Sequence, residues 1–429
     1  MRKLLTLAAA SLMAAGPAMA DLVIPDLHYR TGAFAAGGIP FSDGFQDYLT
    51  LLNERDGGVG GEEIRIVTCE TAYDTERGVD CYESTKGEGA LVYQPLSTGI
   101  TYQLIPRASA DGIPLHTMGY GRTSAAAGDV FEWVFNYPGN YWDSASVMIN
   151  FLLSEEEDGS LEGQQVALLH LNAAYGREPI PTLEQLAEQY GFELLLLAVD
   201  FPGQEQGNQW LTIRREQPDY ILMWGWGVMN QVAIQEAANI RFDMNNFIGN
   251  WWAGAEPDVL PAGADADGYR SLNMNGVGEL PVLDDIQEHV IDAGLAAGDG
   301  ANLGTVLYIR GMYAAMLTAE AARTAQEIHG VSDITPAMMR DGMEALDITE
   351  GRMEELGMSG VGPAFAVSCA NHGGPGLGRI QEWDADAQVW NTLTDFIAPD
   401  DSVTQPLIEA DAAAYAAEAG IEPRNCNES

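Results

Sequence analysis

Aromatic side chains are concentrated where short apolar runs end. Trp224 and Trp226 close one such run, and Trp251 and Trp252 follow Asn250 after another. Further rings stand in comparable positions: Tyr29, Tyr120, Tyr137, Tyr141, Trp142 and Tyr175. Aromatic faces bind other rings and alkylammonium groups, so this pattern favours a pocket for such a group. The alternative is that these rings only pack in the core.

Three arginines lie in loops of the same kind. Arg30, Arg122 and Arg177 each follow an apolar run, although basic residues are scarce in this chain. An arginine can hold a carboxylate through two parallel hydrogen bonds. The alternative is an ion pair with one of the many acidic residues. We select Arg30 and Arg122 as the candidate ligand contacts.

The sequence carries no pattern typical of catalysis or of a metal site. It has neither a G-x-S-x-G nor an H-E-x-x-H motif, and its six histidines are scattered. Asp265 and Asp267 lack the twelve-residue loop of a calcium site. We interpret the glycine-rich residues 369–374 as a structural loop. The sequence therefore predicts no catalytic residue, no metal and no cofactor.

Composition and charge exclude several classes of protein. Of the 429 residues, 46% are apolar and 19% are charged, which is enough apolar material for packed cores and excludes global disorder. Lysine and arginine total 20 against 63 acidic residues, which gives a net charge of −43. Such a surface repels the phosphates of nucleic acids and anionic lipids. We predict no nucleic-acid partner.

The first twenty residues have the pattern of a secretory signal peptide. Arg2 and Lys3 precede an apolar run over residues 4–15, and residues 18–20 (A-M-A) match an A-x-A cleavage site. We predict cleavage after Ala20 and export to the periplasm. An uncleaved anchor is the alternative, but the apolar run is short for crossing a bilayer.

Export makes disulfides the expected state of the four cysteines, because oxidising compartments favour them. Four cysteines allow three pairings. Cys69 and Cys81 are close in sequence, and Cys369 and Cys426 both lie near the C-terminus, so we predict these two pairs. Free thiols or metal ligands are the alternative, although no C-x-x-C or H-x-x-x-H spacing supports zinc.

Apolar runs alternate with amphipathic stretches along most of the chain. Strands are predicted at residues 22–27, 64–69, 90–93, 114–117, 165–170, 193–199, 220–223 and 246–248. Helices are predicted at residues 41–55, 75–85, 100–110, 142–157, 180–190, 209–216 and 229–240. This alternation predicts an α/β fold with two doubly wound parallel sheets, which bind ligands beyond the carboxyl ends of their strands.

The rhythm changes after residue 268. Helices are predicted at residues 284–293, 302–327 and 335–346. Strands follow at residues 364–368, 379–384 and 388–394, and the last two are separated by a turn typical of a hairpin. The polar, alanine-rich residues 399–429 are predicted to form a helix whose end is tied down by Cys426.

Three segments resemble one family, the substrate-binding proteins of ABC importers of the branched-chain amino acid type. Residues 53–61 resemble its asparagine and double-glycine corner, residues 29–35 its T-G-x-F-A loop, and residues 173–177 its Y-G loop. Cys69 and Cys81 flank a segment where some members hold a disulfide. The resemblance covers roughly residues 21–394.

The resemblance implies two lobes, joined by a three-crossing hinge, that close on a ligand in the manner of type I periplasmic binding proteins. Lobe 1 would comprise residues 21–144 and 273–358, and lobe 2 residues 145–272 and 359–398, with residues 399–429 as a tail. The protein would be a monomer that is not an enzyme and delivers a solute to a separate permease and ATPase. The alternatives are a ligand-sensing subunit of a membrane receptor and an exported hydrolase.

The resemblance also implies where the ligand is held. Two loops of lobe 1 bind a carboxylate in this family, and the matching positions are Ser97, Thr98, Thr117 and Gly119. Ser97 and Thr98 also begin a predicted helix, whose N-terminus favours anions. Plain helix capping is the alternative. Neighbouring residues complete the predicted site: Tyr29, Arg30, Phe34, Met118, Tyr120, Arg122, Tyr175, Trp224, Trp226, Asn250, Trp251 and Trp252.

One departure from the family bears on the ligand. Members that bind amino acids hold the ammonium group with an acid from the second lobe, but residues 223–229 contain none and Glu256 is the nearest. This favours a carboxylate that lacks the ammonium group, including an aromatic one. Branched-chain amino acids, aromatic acids, short amides and betaines all stay open.

Overall fold

The computed structural model describes residues 21–426, so the predicted signal peptide and the last three residues of the tail lie outside the described part. Within this range the fold is α/β. Its strands are β1 (Leu22–His28), β2 (Ile64–Glu70), β3 (Leu115–His116), β4 (Val134–Phe135), β5 (Gln165–Leu171), β6 (Glu193–Val199), β7 (Tyr220–Trp224), β8 (Phe247–Gly249), β9 (Arg270–Asn273), β10 (Asp347–Ile348), β11 (Phe365–Ala366), β12 (Arg379–Asp384) and β13 (Val389–Thr392).

The helices of the described range lie between these strands and at the C-terminal end. They are α1 (Ala35–Asp56), α2 (Thr75–Thr85), α3 (Thr98–Asp111), α4 (Tyr141–Glu155), α5 (Ala174–Arg177), α6 (Ile180–Tyr190), α7 (Gly207–Glu216), α8 (Val228–Ile240), α9 (Glu256–Val259), α10 (Pro281–Ile286), α11 (Val306–His329), α12 (Pro336–Glu344), α13 (Glu350–Glu355) and α14 (Asp401–Ala419). No helix of residues 21–426 is both long and apolar enough to cross a membrane.

The first sheet is built from the N-terminal strands. β1 pairs with β2 and β3 pairs with β4, both in parallel. Isolated parallel bridges join the two pairs through residues 90–94: Val23 to Ala90, Asp26 to Gln94 and Tyr93 to Leu115. We call these four strands with residues 90–94 the first sheet. Every residue of β1 is buried, as expected for a parallel strand covered on both faces.

The second sheet has seven strands in the order β13-β12-β9-β8-β7-β5-β6. Its five strands from β5 to β9 are parallel, whereas β12 runs antiparallel to β9 and to β13. The predicted hairpin is therefore confirmed as β12 and β13. Two parallel arrangements with helices between their strands confirm the predicted fold class.

The asparagine and double-glycine corner has a clear physical role. α1 ends at Gly57, whose φ of +71° puts it in the left-handed region that favours glycine. Asn53 then holds the start of β2, because its amide donates to the Ile64 carbonyl and accepts from the Ile64 N–H, each at 2.8 Å. This corner fixes the register between α1 and β2.

The sequence missed elements that lack a long periodic pattern. β4, β9 and β10 have only two to four residues each and were not predicted. Residues 90–93 were predicted as a strand but form only isolated bridges. α1 begins at Ala35, six residues before its predicted start, because Gly37 and Gly38 pack closely against Trp226 and Tyr29. Tertiary contacts rather than local periodicity define these segments.

Both predicted disulfides are formed. Cys69 and Cys81 have Cα atoms 5.7 Å apart and join β2 to α2. Cys369 and Cys426 have Cα atoms 5.4 Å apart and anchor the chain that leaves α14. The second bridge therefore ties the C-terminal segment to the body of the protein.

Candidate functional site

A cavity lies between the carboxyl ends of the two sheets, where about 250 Å³ is free of protein atoms, including the part that is open to solvent. Its lining residues are Tyr29, Tyr73, Leu96, Ser97, Thr98, Tyr120, Tyr141, Tyr175, Trp226 and Trp252. Tyr29 follows β1 of the first sheet, and Trp226 follows β7 of the second. We call this space the aromatic cavity. Its position beyond the strand ends is where α/β sheets bind ligands.

Two loops of the first sheet are held in unusual backbone conformations at the cavity. Tyr73 has a φ of +59° and Leu96 a φ of +46°, a region that costs roughly 1–3 kcal/mol for residues other than glycine. Hydrogen bonds compensate for this cost. The Leu96 N–H donates to the Tyr120 hydroxyl at 2.8 Å, and the Tyr73 N–H donates to the Thr71 hydroxyl at 3.2 Å. The lining is therefore preorganised.

Ser97 and Thr98 begin α3 beside these loops. The Ser97 hydroxyl caps the helix by accepting from the Ile100 N–H at 3.4 Å. The Thr98 hydroxyl lies 3.5 Å from the Tyr141 hydroxyl and accepts from the Gly121 N–H at 3.3 Å. Helix capping and exposure to the cavity are thus combined, and the N-terminus of α3 at this wall favours an anionic group.

The second sheet builds the opposite wall around Asn250. The Asn250 side-chain oxygen accepts from the Tyr175 hydroxyl and from the Trp252 N–H, each at 3.0 Å. The Tyr175 hydroxyl also lies 2.9 Å from the Gly225 carbonyl oxygen. Asn250 therefore orients two lining rings while standing behind them.

Hydrogen bonds cross from one wall to the other. The indole N–H of Trp226 donates to the Tyr29 hydroxyl at 3.1 Å. The Gly119 carbonyl accepts from the indole N–H groups of Trp251, at 2.8 Å, and Trp252, at 3.0 Å. Gly119 has a φ of +68°, in the left-handed region that favours glycine, and a Cβ there would also displace the Met274 methyl group. These contacts join the two sheets around the cavity.

The lining residues of the described chain include no Asp, Glu, Lys, Arg or His. Burial raises the pKa of each lining tyrosine above its ordinary range: Tyr29, Tyr73, Tyr120, Tyr141 and Tyr175. These phenols therefore stay protonated at neutral pH. The aromatic cavity is polar at a few hydroxyls but carries no formal charge.

The sequence missed Arg310, a completely buried arginine of α11 that stands behind the second wall. It donates to the Trp251 carbonyl and to the side-chain oxygens of Asn273, at 2.6 Å, and Asn275, at 2.8 Å. Its guanidinium lies 4.9 Å from the centre of the Trp252 ring. Burial lowers the pKa of Arg310 to about 9. A single charge within the apolar residues 306–317 was the available signal.

Seven predicted site residues lie in the lining, as the structure places them: Tyr29, Ser97, Thr98, Tyr120, Tyr175, Trp226 and Trp252. Three lining residues were not among the predicted contacts: Tyr73, Leu96 and Tyr141. In the sequence Tyr141 is one of many rings, and Tyr73 and Leu96 precede helices without a motif that marks them. These residues line the cavity because of the conformation of their loops, which the local sequence does not predict.

Other predicted residues stand behind the lining, not in it. Asn250, Trp251 and Gly119 make the contacts described above. Thr117 is buried and its N–H donates to the Phe135 carbonyl at 2.7 Å, and Met118 is also fully buried. Trp224 lies inside β7, and Phe34 packs on Tyr73 and Phe201 at the edge of the cavity.

The two candidate arginines are engaged elsewhere. Arg30 donates to the Asp43 carboxylate at 2.7 Å and to the Ser42 hydroxyl at 3.1 Å. Arg122 donates to the Asp411 carboxylate of α14 at 2.5 Å. Neither lines the aromatic cavity. Both arginines therefore form structural ion pairs, which is the alternative that the sequence left open.

A second space between the sheets collects charged groups. About 570 Å³ there is free of protein atoms, including the part open to solvent, and the lining residues are Tyr102, Arg122, Thr123, Ser124, Trp142, Ala174, Arg177, Glu178, Pro181 and Asp411. We call it the ionic recess. Glu178, next to α5 of the second half, accepts from the Tyr102 hydroxyl and from the N–H and hydroxyl of Thr123. It therefore links the two halves a second time.

Comparisons with known proteins agree with this architecture. The sequence model of a family described as periplasmic binding protein matches residues 22–388. A solved structure from the Pseudomonas fluorescens group, described as an ABC transporter permease, is 37% identical, with 95% of this chain and 99% of that chain covered and a TM-score of 0.87. Among curated proteins, none matches.

Two more distant structures show the same fold. One is a branched-chain amino acid ABC transporter from Thermus thermophilus with bound valine, which is 17% identical, covers 90% of this chain and 99% of that chain, and has a TM-score of 0.73. The other is a solute-binding protein of an ABC transporter from R. palustris in complex with benzoate, which is 16% identical, covers 90% and 99%, and has a TM-score of 0.69.

Proposed function

We propose that this chain, which belongs to the periplasmic binding protein family, captures one small solute in the aromatic cavity and delivers it to the permease of an ABC importer. Within that family it is a type I substrate-binding protein of the branched-chain amino acid kind. The resemblance seen in the sequence is confirmed. Members of this family act outside the cytoplasm and bind solutes for transport rather than catalyse reactions. Export through a signal peptide cleaved after Ala20 stays a prediction.

The proposal rests chiefly on one observation. Loops that follow strands of both sheets wall the same cavity, and hydrogen bonds from Trp226 to Tyr29 and from Trp252 to Gly119 cross it. A solute that touches both walls stabilises the joined arrangement over a separated one. Binding then shifts an equilibrium between open and closed molecules by the difference in affinity for the two states.

We propose the predicted lobe boundaries as the moving bodies: residues 21–144 with 273–358, and residues 145–272 with 359–398. The first sheet would belong to lobe 1 and the second sheet to lobe 2. The closed molecule would present its lobes together to a permease and its separate ATPase, with the chain acting as a monomer.

The chemistry of the lining supports a small solute with an apolar or aromatic part. Solved proteins with the same fold hold valine in one case and benzoate in another. A carboxylate or amino-acid-like solute, as predicted from the sequence, would find Ser97 and Thr98 at the start of α3. Arg30 and Arg122 give no support to this part of the proposal, because Asp43 and Asp411 already hold them.

A thermal-shift screen across small acids, amides and ammonium compounds tests capture. A true ligand at 100 times its Kd adds about 2.7 kcal/mol to the free energy of unfolding. We expect Trp252→Ala to abolish the ligand-dependent shift while unfolding cooperatively, and the matched control Trp133→Ala, outside the cavity, to retain it. A full shift in Trp252→Ala would contradict capture at this site. Co-purification with a permease, as opposed to a receptor, tests delivery.

A further inference from the structure

The rings of the aromatic cavity are arranged as a box. The planes of three neighbouring ring pairs are nearly perpendicular, at 84° for Tyr29 with Trp226, 84° for Trp226 with Trp252, and 73° for Tyr120 with Trp252. Tyr141 and Tyr175, beside this group, are tilted by 53°. Parallel walls would suit a flat aromatic solute, which stacks between them. Perpendicular walls surround a rounded group and present ring faces from several directions.

The hydrogen-bonding inventory of the box narrows the solute further. A primary ammonium group carries three N–H donors, and the lining offers no carboxylate to accept from them. The hydroxyl acceptors of the lining are partly used, because those of Tyr29, Tyr120 and Thr98 already accept from N–H groups of the protein. Leaving such donors unpaired on burial is costly. A nitrogen whose hydrogens are all replaced by methyl groups has nothing to pair and keeps its positive charge. A solute with such a nitrogen needs no acidic partner, which agrees with the absence of the acid by which amino-acid binders hold an ammonium group.

The electrostatics of the ring walls agree with a positive group, whereas the start of α3 favours a negative one. The faces of aromatic rings attract cations, and the lining tyrosines stay neutral because burial raises their pKa values. The whole chain has a formal net charge of −43, which concentrates cations near its surface. Neither an arginine nor a lysine lines the described cavity to oppose a cation.

Arg310 is a buried cation behind this wall, with its guanidinium 4.9 Å from the centre of the Trp252 ring, and hydrogen bonds hold its charge there. It donates to the Trp251 carbonyl and to Asn273 and Asn275, and it does not line the cavity. Glu256 and Asp258 also lie close enough to favour its charged form. Burial raises the pKa of both acids, that of Asp258 to about 7, so they offset the field of Arg310 only in part at neutral pH.

From this geometry we propose that the captured solute is a small quaternary ammonium compound, whose methylated nitrogen lies in the box formed by Tyr29, Tyr120, Trp226 and Trp252. This inference rests on the proposed function and specifies its substrate class. A carboxylate on the same solute, as in a betaine, would lie at Ser97 and Thr98. A solute without a carboxylate, such as choline, would need only the box.

Calorimetric titration with matched probes tests the role of the charge. The probes are choline, its neutral tert-butyl isostere in which carbon replaces nitrogen, glycine betaine, benzoate and valine. We expect choline or glycine betaine to bind at least tenfold tighter than the isostere. The attraction of a desolvated cation to ring faces corresponds to an affinity gain of about this size or larger. Equal or tighter binding of the isostere, of benzoate or of valine would overturn the inference.

Substitution of Trp226 separates ring chemistry from apolar contact. Trp226→Phe keeps a weaker ring, and Trp226→Leu removes it. We expect choline or betaine affinity to fall roughly threefold in Trp226→Phe and roughly 30-fold in Trp226→Leu. Trp133→Leu, in a ring outside the cavity, serves as the control and should bind as the wild type does. Equal losses in the two Trp226 variants would mean that the contact is only apolar.

The outcomes distinguish this inference from the function on which it rests. If benzoate, valine or the neutral isostere binds best and Trp252→Ala abolishes that binding, solute capture stands and the ammonium class is wrong. If no probe binds, the ammonium class is wrong as well, and a broader screen then decides capture itself. Each variant is first compared with the wild type in urea unfolding, so that a loss of affinity is not mistaken for a loss of folding.

Discussion

The two spaces between the sheets are built from opposite chemistry. The aromatic cavity is walled by uncharged rings and hydroxyls, whereas the ionic recess contains Arg122, Glu178 and Asp411. A hydrogen bond crosses each space, from Trp226 to Tyr29 in the aromatic cavity and from Thr123 to Glu178 in the ionic recess. On our proposal the two spaces have different roles, in which charged groups fix the relative position of the elements and ring faces bind the solute.

The largest effect is expected behind the aromatic wall, at Arg310. Arg310→Met leaves the Trp251 carbonyl and the oxygens of Asn273 and Asn275 without their buried donor. We expect the free energy of unfolding in urea to fall by about 3–5 kcal/mol, and solute binding to be lost with the orientation of Trp252.

Arg215→Met provides the matched control for this change. The Arg215 side chain is 72% exposed and pairs with its neighbour Glu216. We expect a change within about 0.5 kcal/mol there. An Arg310→Met variant as stable as the wild type, with unchanged affinity, would break the link between Arg310 and the aromatic wall.

The next effect concerns the segment that supplies Asp411 to the ionic recess. Replacing both Cys369 and Cys426 by serine removes a bridge that spans 57 residues, and we expect a loss of about 2–4 kcal/mol in urea unfolding. Replacing Cys69 and Cys81, only 12 residues apart, should cost roughly 1 kcal/mol less, because a shorter loop is released.

The same disulfide variant sharpens the comparison between the two spaces. None of the described residues of α14 lines the aromatic cavity, so solute affinity should be nearly unchanged in the variant without the Cys369–Cys426 bridge. A loss of affinity as large as that of a cavity variant would show that the two spaces do not act separately.

The ionic recess should confer a pH dependence that the cavity lacks. Burial raises the pKa of Glu178, partly offset by hydrogen bonds from Tyr102 and Thr123. The folded molecule therefore binds the proton of the Glu178 carboxyl group more tightly than the unfolded chain does. Stability from this group is fully present below the ordinary glutamate range and is lost as pH rises through the raised pKa, by up to about 1.4 kcal/mol per pH unit.

Glu178→Gln isolates this contribution. The variant should show a flatter dependence of unfolding free energy on pH across that window, measured by urea unfolding at a series of pH values. Because other buried acids also titrate, the quantity to compare is the difference between variant and wild type. A difference that does not vary with pH would contradict the assignment to Glu178.

The smallest effect is expected at the Tyr120 hydroxyl. Tyr120→Phe keeps the ring but removes the acceptor of the Leu96 N–H, in a loop that already has a strained backbone. We expect a loss of about 1 kcal/mol in stability, together with a modest loss of affinity. Thermal unfolding with and without solute measures both, and an affinity loss larger than that of Trp226→Leu would contradict the ring-box arrangement.

Much of the fold followed from the sequence, because long apolar runs and caps are local signals. β6 and β12 lie where they were predicted, and α6 matches its predicted bounds. The short strands β4, β9 and β10 did not follow, since two to four residues carry no period and their pairing depends on distant partners. α1 extends earlier than predicted because Gly37 and Gly38 meet rings of other segments.

The site could be predicted only as far as strand ends mark it. Trp226, Trp252 and Tyr175 follow strands of one sheet, and local pattern was enough to select them. Arg30 and Arg122 follow strands too, but their acidic partners Asp43 and Asp411 are identified only by tertiary structure. Position along a strand therefore predicts which loop faces the cavity, not which way a long side chain turns.

Crystallography of the complex with the tightest-binding solute tests the central claim most directly. We expect solute density in the aromatic cavity, in contact with Tyr29 on one wall and Trp226 on the other. Solute density in the ionic recess beside Arg122 and Glu178, with the aromatic cavity unchanged, would contradict it.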